Sequence, residues 1–327
     1  MKIQKTGYHG LYFPDLRISM DGYHPAAEAV FVSHAHADHM PRNRQANIMA
    51  TQPTLDFMTR RGFTGKGSAL PFYKVFETDY CSVTLYPAGH ILGSAMIFVE
   101  SDSGTLLYTG DYRIPPSPAT EGFGAPKQAD ILITEATFAL PIYKWKSQDE
   151  LAEEISNFAL NSLSDGYTPI FLGYNLGKGQ ELLHILAPLG HPMMIHGAGF
   201  KLCDVYENYG IDLGNYTVYN RDTCEGKILV APSSAIGNGF ASNLSKTRIA
   251  YCSGWAANES RRTQLTVDKL IPISDHLDFF ELIRFCKQMN PHQVYITHTP
   301  NPAVVEYYLE KEGINSTYLN LEPEAEE

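Results

Sequence analysis

The hexapeptide His34-Ala35-His36-Ala37-Asp38-His39 places three imidazoles and one carboxylate within six residues. Neutral imidazole and carboxylate are good ligands for zinc and similar divalent ions. His34 and His36, one residue apart, can point the same way from an extended segment. Asp38 and His39 then reach a neighbouring position, and the small Ala35 and Ala37 leave room for tight turns. The bland alternative is a polar loop that merely happens to be rich in histidine. Four ligand-type residues directly after a buried strand weigh against it. Further ligands must come from afar. His90, in Pro87-Ala88-Gly89-His90, and Asp111, in Thr109-Gly110-Asp111, are the candidates, although alone each would read as a cap or turn residue.

These groups need a scaffold, and the pattern of short apolar runs supplies one. Residues 29–33 are a compact β-rich run that ends at the histidine cluster. Residues 81–86 alternate apolar and polar side chains and stop at Pro87-Ala88-Gly89, just before His90. Residues 95–100 and 105–109 read as a hairpin that delivers Asp111, 131–134 as a strand that delivers Glu135, and 293–297 as one that delivers His298. Ionisable residues just past several strand ends sit on loops along one sheet edge, held by a rigid scaffold. From Ser147 the texture changes. Residues 149–163 have helical spacing, with Ser147 as N-cap and Glu150 completing a capping box. Strands at 169–172, 193–195, 228–230 and 249–253 then alternate with helices at 180–186 and 202–209. That alternation predicts a parallel sheet, inserted as a second α/β unit into the first. A helix at 277–289 follows His276.

The order H-x-H-x-D-H, then His90, then Asp111, resembles the metallo-β-lactamase superfamily. Glu135 in Ile133-Thr134-Glu135-Ala136-Thr137-Phe138, His276 in Ser274-Asp275-His276 and His298 in Thr297-His298 are similar to the further motifs of its β-CASP nucleases. The segments Thr134-Glu135-Ala136-Thr137-Phe138, Leu172-Gly173-Tyr174-Asn175, Ile195-His196-Gly197-Ala198 and Ser253-Gly254-Trp255 resemble the DNA ligase-associated exonuclease branch, akin to the DNA crosslink-repair nucleases. The resemblance implies an αββα sandwich at 1–140 and 254–327, with an inserted α/β β-CASP domain at 141–253. It also implies that His34, His36 and His90 hold one metal, that Asp38, His39 and His298 hold a second, and that Asp111 bridges them. Glu135 would orient His276, which would stabilise or protonate the leaving oxygen; Asp38, Glu135 and His276 are the expected catalytic residues. For His276 the bland alternative is a place beside a helix N-cap at Ser274 or Asp275.

The implied reaction is phosphodiester cleavage in DNA repair, at single-stranded or 5′ ends, in a cleft between core and cap. Two divalent ions about 3.5–4 Å apart can clamp the attacking and leaving oxygens of an in-line displacement. Zinc is the first expectation and manganese also fits by ligand type. By family analogy an ATP-dependent DNA ligase and a helicase are the expected partners. The glycine-rich turn carrying Lys178 could hold a phosphate on backbone N–H groups or be a tight turn only. Ser253, Arg261 and Arg262 likewise read as phosphate contacts or as ordinary surface. Rival readings are an RNA-processing nuclease of the same fold, differing only in contacts to the 2′-OH, a small-molecule ester or thioester hydrolase, and a non-catalytic nucleic-acid clamp.

Composition sets the outer bounds. With 327 residues, 44% of them hydrophobic, the chain fills one large domain or two intimate ones. The net charge of -11 argues against a broad basic surface for indiscriminate nucleic-acid binding. No stretch approaches the roughly 20 apolar residues of a membrane helix. Residues 1–10 lack the apolar run of a secretory signal, so a cytoplasmic location is expected. Cys81, Cys203, Cys224, Cys252 and Cys286 are far apart and never form C-x-x-C, which predicts buried thiols, not a disulfide framework. The acidic end, 322–327, reads as disordered.

Overall fold

Short apolar runs cut by Gly, Pro and Asp form the strands of the computed structural model, which describes residues 1–7, 9–43 and 46–320. The acidic end at 322–327 lies outside the described residues. The chain divides into two compact units, residues 1–114, 120–144 and 276–327 in the first, 115–119 and 145–275 in the second.

The first unit opens with β1 (Gln4–Thr6), β2 (Gly10–Phe13), β3 (Ile18–Met20), β4 (Ala29–Phe31), β5 (Asn47–Ala50), helix α1 (Gln52–Arg60) and β6 (Lys66–Ala69). These six strands pair in chain order, antiparallel as far as β3 and parallel beyond. A second sheet follows with β7 (Val75–Glu77), β8 (Ser82–Pro87), β9 (Ala95–Ser101) and β10 (Gly104–Tyr108), all antiparallel neighbours, and β11 (Ile131–Glu135) parallel to β10.

The second unit holds α2 (Gln148–Ser164), β12 (Thr168–Leu172), α3 (Lys178–Leu186), β13 (Met193–Ile195), α4 (Gly197–Asn208), β14 (Tyr216–Val218), β15 (Ile228–Ala231), α5 (Ser233–Gly237), β16 (Thr247–Cys252), α6 (Ser260–Leu265) and β17 (Lys269–Ile271). The six strands form one parallel sheet, ordered β14-β13-β15-β12-β16-β17. The expected capping box is present: Ser147 and Glu150 satisfy each other's backbone N–H groups at the start of α2. The unit extends past the expected border at 253/254 because β17 pairs with β16. The chain then returns to the first unit with α7 (Phe279–Met289), β18 (Gln293–Thr297), α8 (Pro302–Lys311) and β19 (Ser316–Tyr318), and β18 pairs in parallel with β11.

Strand periodicity sorts the side chains of the first unit into two cores. Ile97 and Val99 face Phe13, Ile18, Met20 and Phe31, so the two sheets pack face to face. Met96 and Phe98 point the other way, into a cluster with Leu282, Phe285 and Met289 of α7 and Val305 and Leu309 of α8. The second unit packs its own core around Ile170, Leu172, Met194 and Leu229. The five cysteines are buried free thiols. No helix among the described residues is long and apolar enough to cross a membrane.

The loops leaving β4, β8, β10, β11 and β18 are laced together by backbone hydrogen bonds. Ala95 N–H donates to Ser33 C=O (2.8 Å), Arg113 N–H to Ala88 C=O (2.9 Å) and Ala136 N–H to His298 C=O (3.1 Å). Gly110 fixes the closest approach. Its φ is 54°, and a Cβ there would stand 2.7 Å from both Cβ and Oγ of Ser33, the residue before His34. Replacing Gly110 by Ala therefore forces apart the loops that carry His34 and Asp111. The expected cost is about 1–3 kcal/mol in urea unfolding, together with weaker zinc binding in a chelator competition; unchanged values on both measurements would refute the argument.

Candidate metal centre

Two groups of donor atoms form at this edge, each with all atoms within 4.8 Å of one another. The first holds His34, His36, His90 and Asp111, the second His9, Asp38, His39 and His298. In the first, His34 Nε2 and His90 Nε2 each lie 3.1 Å from His36 Nδ1. Asp111 stands between the groups. Its Oδ2 is 3.6 Å from His34 Nε2, 3.6 Å from His39 Nε2 and 3.8 Å from His90 Nε2, and its Oδ1 is 3.9 Å from His298 Nδ1. The hexapeptide, His90, Asp111 and His298 are thus brought together from four separate segments. Two residues that the sequence reading missed belong with them.

One is His9, taken up below. The other is Asp21, which follows β3 and is buried at φ 52°. Its Oδ1 accepts from Ser33 N–H (2.6 Å); its Oδ2 accepts from Ser33 Oγ (2.6 Å), Tyr108 OH (2.8 Å) and His39 Nδ1 (2.7 Å). With Nδ1 committed to Asp21, His39 aims Nε2 at the centre. A carboxylate behind a ligating imidazole fixes the ring's tautomer and orientation. The signal was present in the sequence, an acid directly after an apolar triplet, but Ile18-Ser19-Met20 is too short to stand out as a strand.

Beside the first group lies a third arrangement. Glu135 is buried at the end of β11 and accepts from His276 Nδ1 (2.6 Å), Tyr112 N–H (3.1 Å), Thr137 N–H (3.3 Å) and Thr137 Oγ1 (2.5 Å). The helix cap after His276 is Asp278, in a capping box with Glu281, so the bland reading of His276 as a neighbour of a cap at Ser274 or Asp275 does not hold. The His276 and His90 rings stand 4.8 Å apart.

Electrostatics follow from burial and proximity. Burial and the neighbouring His39, His90 and His36 push His34 well below the usual imidazole range, which keeps it neutral and able to bind a cation. Burial works against a charged His39, but Asp111 and Asp21 outweigh it and raise this group to about 9. Burial pushes Asp111 up to about 7 against the pull of His39. Burial, with His39 and His9, lowers His298 to about 3. Burial opposes ionisation of Glu135, yet His276, through charge and hydrogen bond, holds it below its usual value. His39 Nε2 and Asp111 Oδ1 are buried without a hydrogen-bond partner among the described residues. Such atoms are costly unless something satisfies them. Orphaned lone pairs in a ring of imidazole nitrogens and carboxylates fit divalent cations, one in each group.

The expected substrate contacts fare differently. Lys178 is 1% exposed and its Nζ binds Glu181 Oε2 at 2.5 Å, while Glu181 Oε1 accepts from Ser117 Oγ. A phosphate contact would require breaking a buried ion pair, so that expectation is corrected. Ser253 is buried, and its Oγ accepts from Trp255 N–H in capping the turn. Arg261 and Arg262 lie on α6, where Arg262 pairs with Glu259 and Arg261 donates to Gln264. A basic pair that the sequence reading passed over, Arg42 and Arg61, lines a groove of about 280 Å³ with Ala37, Met40, Pro41, Gly62 and Phe63.

No family model matches the chain. The Opitutus terrae protein named "Probable DNA ligase" is 34% identical over 293 residues, which cover 89% of this chain and 28% of that protein. An RNase J-like protein of Methanocaldococcus jannaschii is 31% identical over 186 residues, 49% of this chain and 44% of its own length. The DNA cross-link repair 1A protein of Gallus gallus is 24% identical over 300 residues, 82% of this chain and 30% of that protein. The chain therefore spans less than half the length of each. A crystal structure of a protein of unknown function from Enterococcus faecalis V583 superposes with a TM-score of 0.60 at 15% identity, covering 90% of this chain and 79% of that one, a likeness of fold alone. With this site and these relatives, the chain belongs to the metallo-β-lactamase superfamily and, within it, to the β-CASP group.

Binding a cation at His39 Nε2 must displace the proton that a group raised to about 9 still carries at neutral pH. Zinc titration at pH 7 is therefore expected to release protons, seen as calorimetric heats that vary with buffer ionisation enthalpy. Apparent affinity should rise as pH rises toward 9. Zinc at a hundredfold excess over its Kd should stabilise the fold by about 2.7 kcal/mol. Asp21→Ala should weaken binding roughly 10–100-fold. Buffer-independent heats would contradict the assignment of His39.

Proposed function

We propose that this chain is a two-metal phosphodiester hydrolase that degrades DNA in repair, an exonuclease acting on single-stranded or 5′ ends. One observation carries the reading: a buried Glu135–His276 pair beside the metal-binding groups. A leaving alkoxide needs a proton, and a histidine braced by a buried carboxylate is built to give one. Hydrolysis of a thioester, whose thiolate leaves without protonation, has no such need.

In this reading His34, His36 and His90 hold one ion, Asp38, His39 and His298 the other, and Asp111 contributes to both. Two divalent ions so held, zinc first and manganese second, would clamp the attacking and leaving oxygens of an in-line displacement and lower the pKa of water. The protein's own groups do the rest. Glu135 accepts the Nδ1 proton of His276 and stabilises the imidazolium, so proton transfer to the leaving oxygen runs through Nε2. Arg42 and Arg61 bring positive charge beside Ala37, the neighbour of Asp38, and suit a backbone phosphate of the strand. Arg261 and Arg262 are a second candidate contact. The face-to-face sheets with α7 and α8 on one side are read as part of an αββα sandwich, and the second unit as an inserted cap. A cytoplasmic setting, with an ATP-dependent DNA ligase and a helicase as partners, completes the proposal; the names of the Opitutus and Gallus relatives support the DNA side. The RNase J-like name of the archaeal relative favours RNA as the second reading.

End-labelled DNA and RNA strands of matched sequence test this directly. Stepwise shortening of DNA, lost by at least about 10³-fold in Asp38→Ala and by about 10²–10⁴-fold in His276→Ala, is expected. RNA shortened while DNA stays intact would move the assignment to the second reading, and equal rates for Asp38→Ala and the parent would refute the metal mechanism.

A further inference from the structure

The second donor group contains an imidazole that the motif pattern does not include. His9 stands immediately before β2, with its side chain 19% exposed. Its Nε2 lies 2.5 Å from His298 Nε2 and 3.4 Å from Asp38 Oδ2. Its ring stacks on that of His39 at a centroid distance of 5.1 Å. His9, Asp38, His39 and His298 thus offer one donor atom each, all within 4.8 Å of one another. Resting on the two-metal reading above, we propose that His9 is a protein ligand of the second ion. It gives that position three imidazoles, as many as the first, and makes both selective for zinc over manganese.

The backbone is shaped to bring His9 there. Gly10 lies so close to the neighbouring chain that a Cβ on it would meet Thr6 O at 2.1 Å and Gly22 Cα at 2.5 Å. That contact seats the start of β2 against the end of β3, next to Asp21, which braces His39. A histidine at this end of β2 therefore faces the same edge as the loops that carry the other ligands. The chemistry then sets selectivity. Imidazole nitrogen suits zinc, whereas manganese and magnesium favour carboxylate and water oxygens. A position of Asp38, His39 and His298 alone is balanced between the two classes, and a third imidazole tips it toward zinc.

A rival account has His9 only hydrogen-bonding His298 and Asp38 to orient them. Glutamine can hydrogen-bond in that place but adds no imidazole, so His9→Ala and His9→Gln separate the two. Zinc and manganese uptake by the full chain is measured by competition with a chromophoric chelator. Cadmium-loaded, histidine-labelled protein is examined by nitrogen NMR, where a one-bond cadmium–nitrogen coupling marks ligating rings only. The expected result is two zinc equivalents in the parent and a coupling on His9. Both variants should show second-ion affinity reduced at least about tenfold, with a narrowed preference for zinc. Parent-like second-ion binding in His9→Gln, or no coupling on His9, overturns the proposal while leaving the two-metal reading intact. A parent that takes up only one ion overturns both.

Discussion

A carboxylate buried among imidazoles governs the architecture of the first unit. Asp111 is nearly inaccessible and faces His34, His39, His90 and His298 at 3.6 to 3.9 Å. Burial pushes it toward protonation, up to about 7 even against the pull of His39. Neutral rings cannot supply the missing countercharge, and a charged His39 supplies only part of it. Buried charges persist in proteins when they are paired or coordinate metals. Asp111 Oδ1 and His39 Nε2 are buried without a hydrogen-bond partner among the described residues, and a cation that takes the place of the His39 proton would satisfy both.

Holding so many donors at one point demands a rigid frame, and the sheets provide it at little cost in irregular backbone. Strands β10, β11 and β18 run in parallel, so their ends share an edge, and β8 runs the same way across the intervening β9. His90, Asp111, Glu135 and His298 inherit their proximity from that direction alone. The histidine hexapeptide arrives from the facing sheet, and the link from Ala95 N–H to Ser33 C=O joins the two layers where it begins. Site precision thus depends on core packing, because the same strands bury Ile97, Val99, Tyr108 and Ile133 between the sheets.

Much of this was legible in the sequence, and the omissions have a common cause. Ligand-type residues following apolar runs located His34 to His39, His90, Asp111, Glu135 and His298. That rule assumes strands that end at the site. Strand β2 is antiparallel to β3, so its beginning lies at the same edge, and His9 precedes the strand instead of following it. Asp21 escaped because three residues carry too little periodicity to mark a strand. Helix α1 was likewise not anticipated. Its Thr51 cap and Pro53 are local signals, but its apolar face is only a few residues wide.

The glycine-rich turn before Lys178 shows where pattern and physics part. A strand, a glycine-rich turn and a lysine at a helix start suggest a cradle for phosphate. Here the glycine serves the lysine. A Cβ on Gly173 would fall 2.7 Å from Lys178 Cγ, so the missing side chain is the space through which the lysine stem enters the core. Its ammonium ends at Glu181, which Ser117 also supports. Removing one partner of such a pair strands a buried charge, whereas replacing both with apolar groups of similar volume is often tolerated. The Lys178 side chain is therefore a packing element of the second unit. Arg42 and Arg61, by contrast, line a groove with Ala37 of the hexapeptide itself.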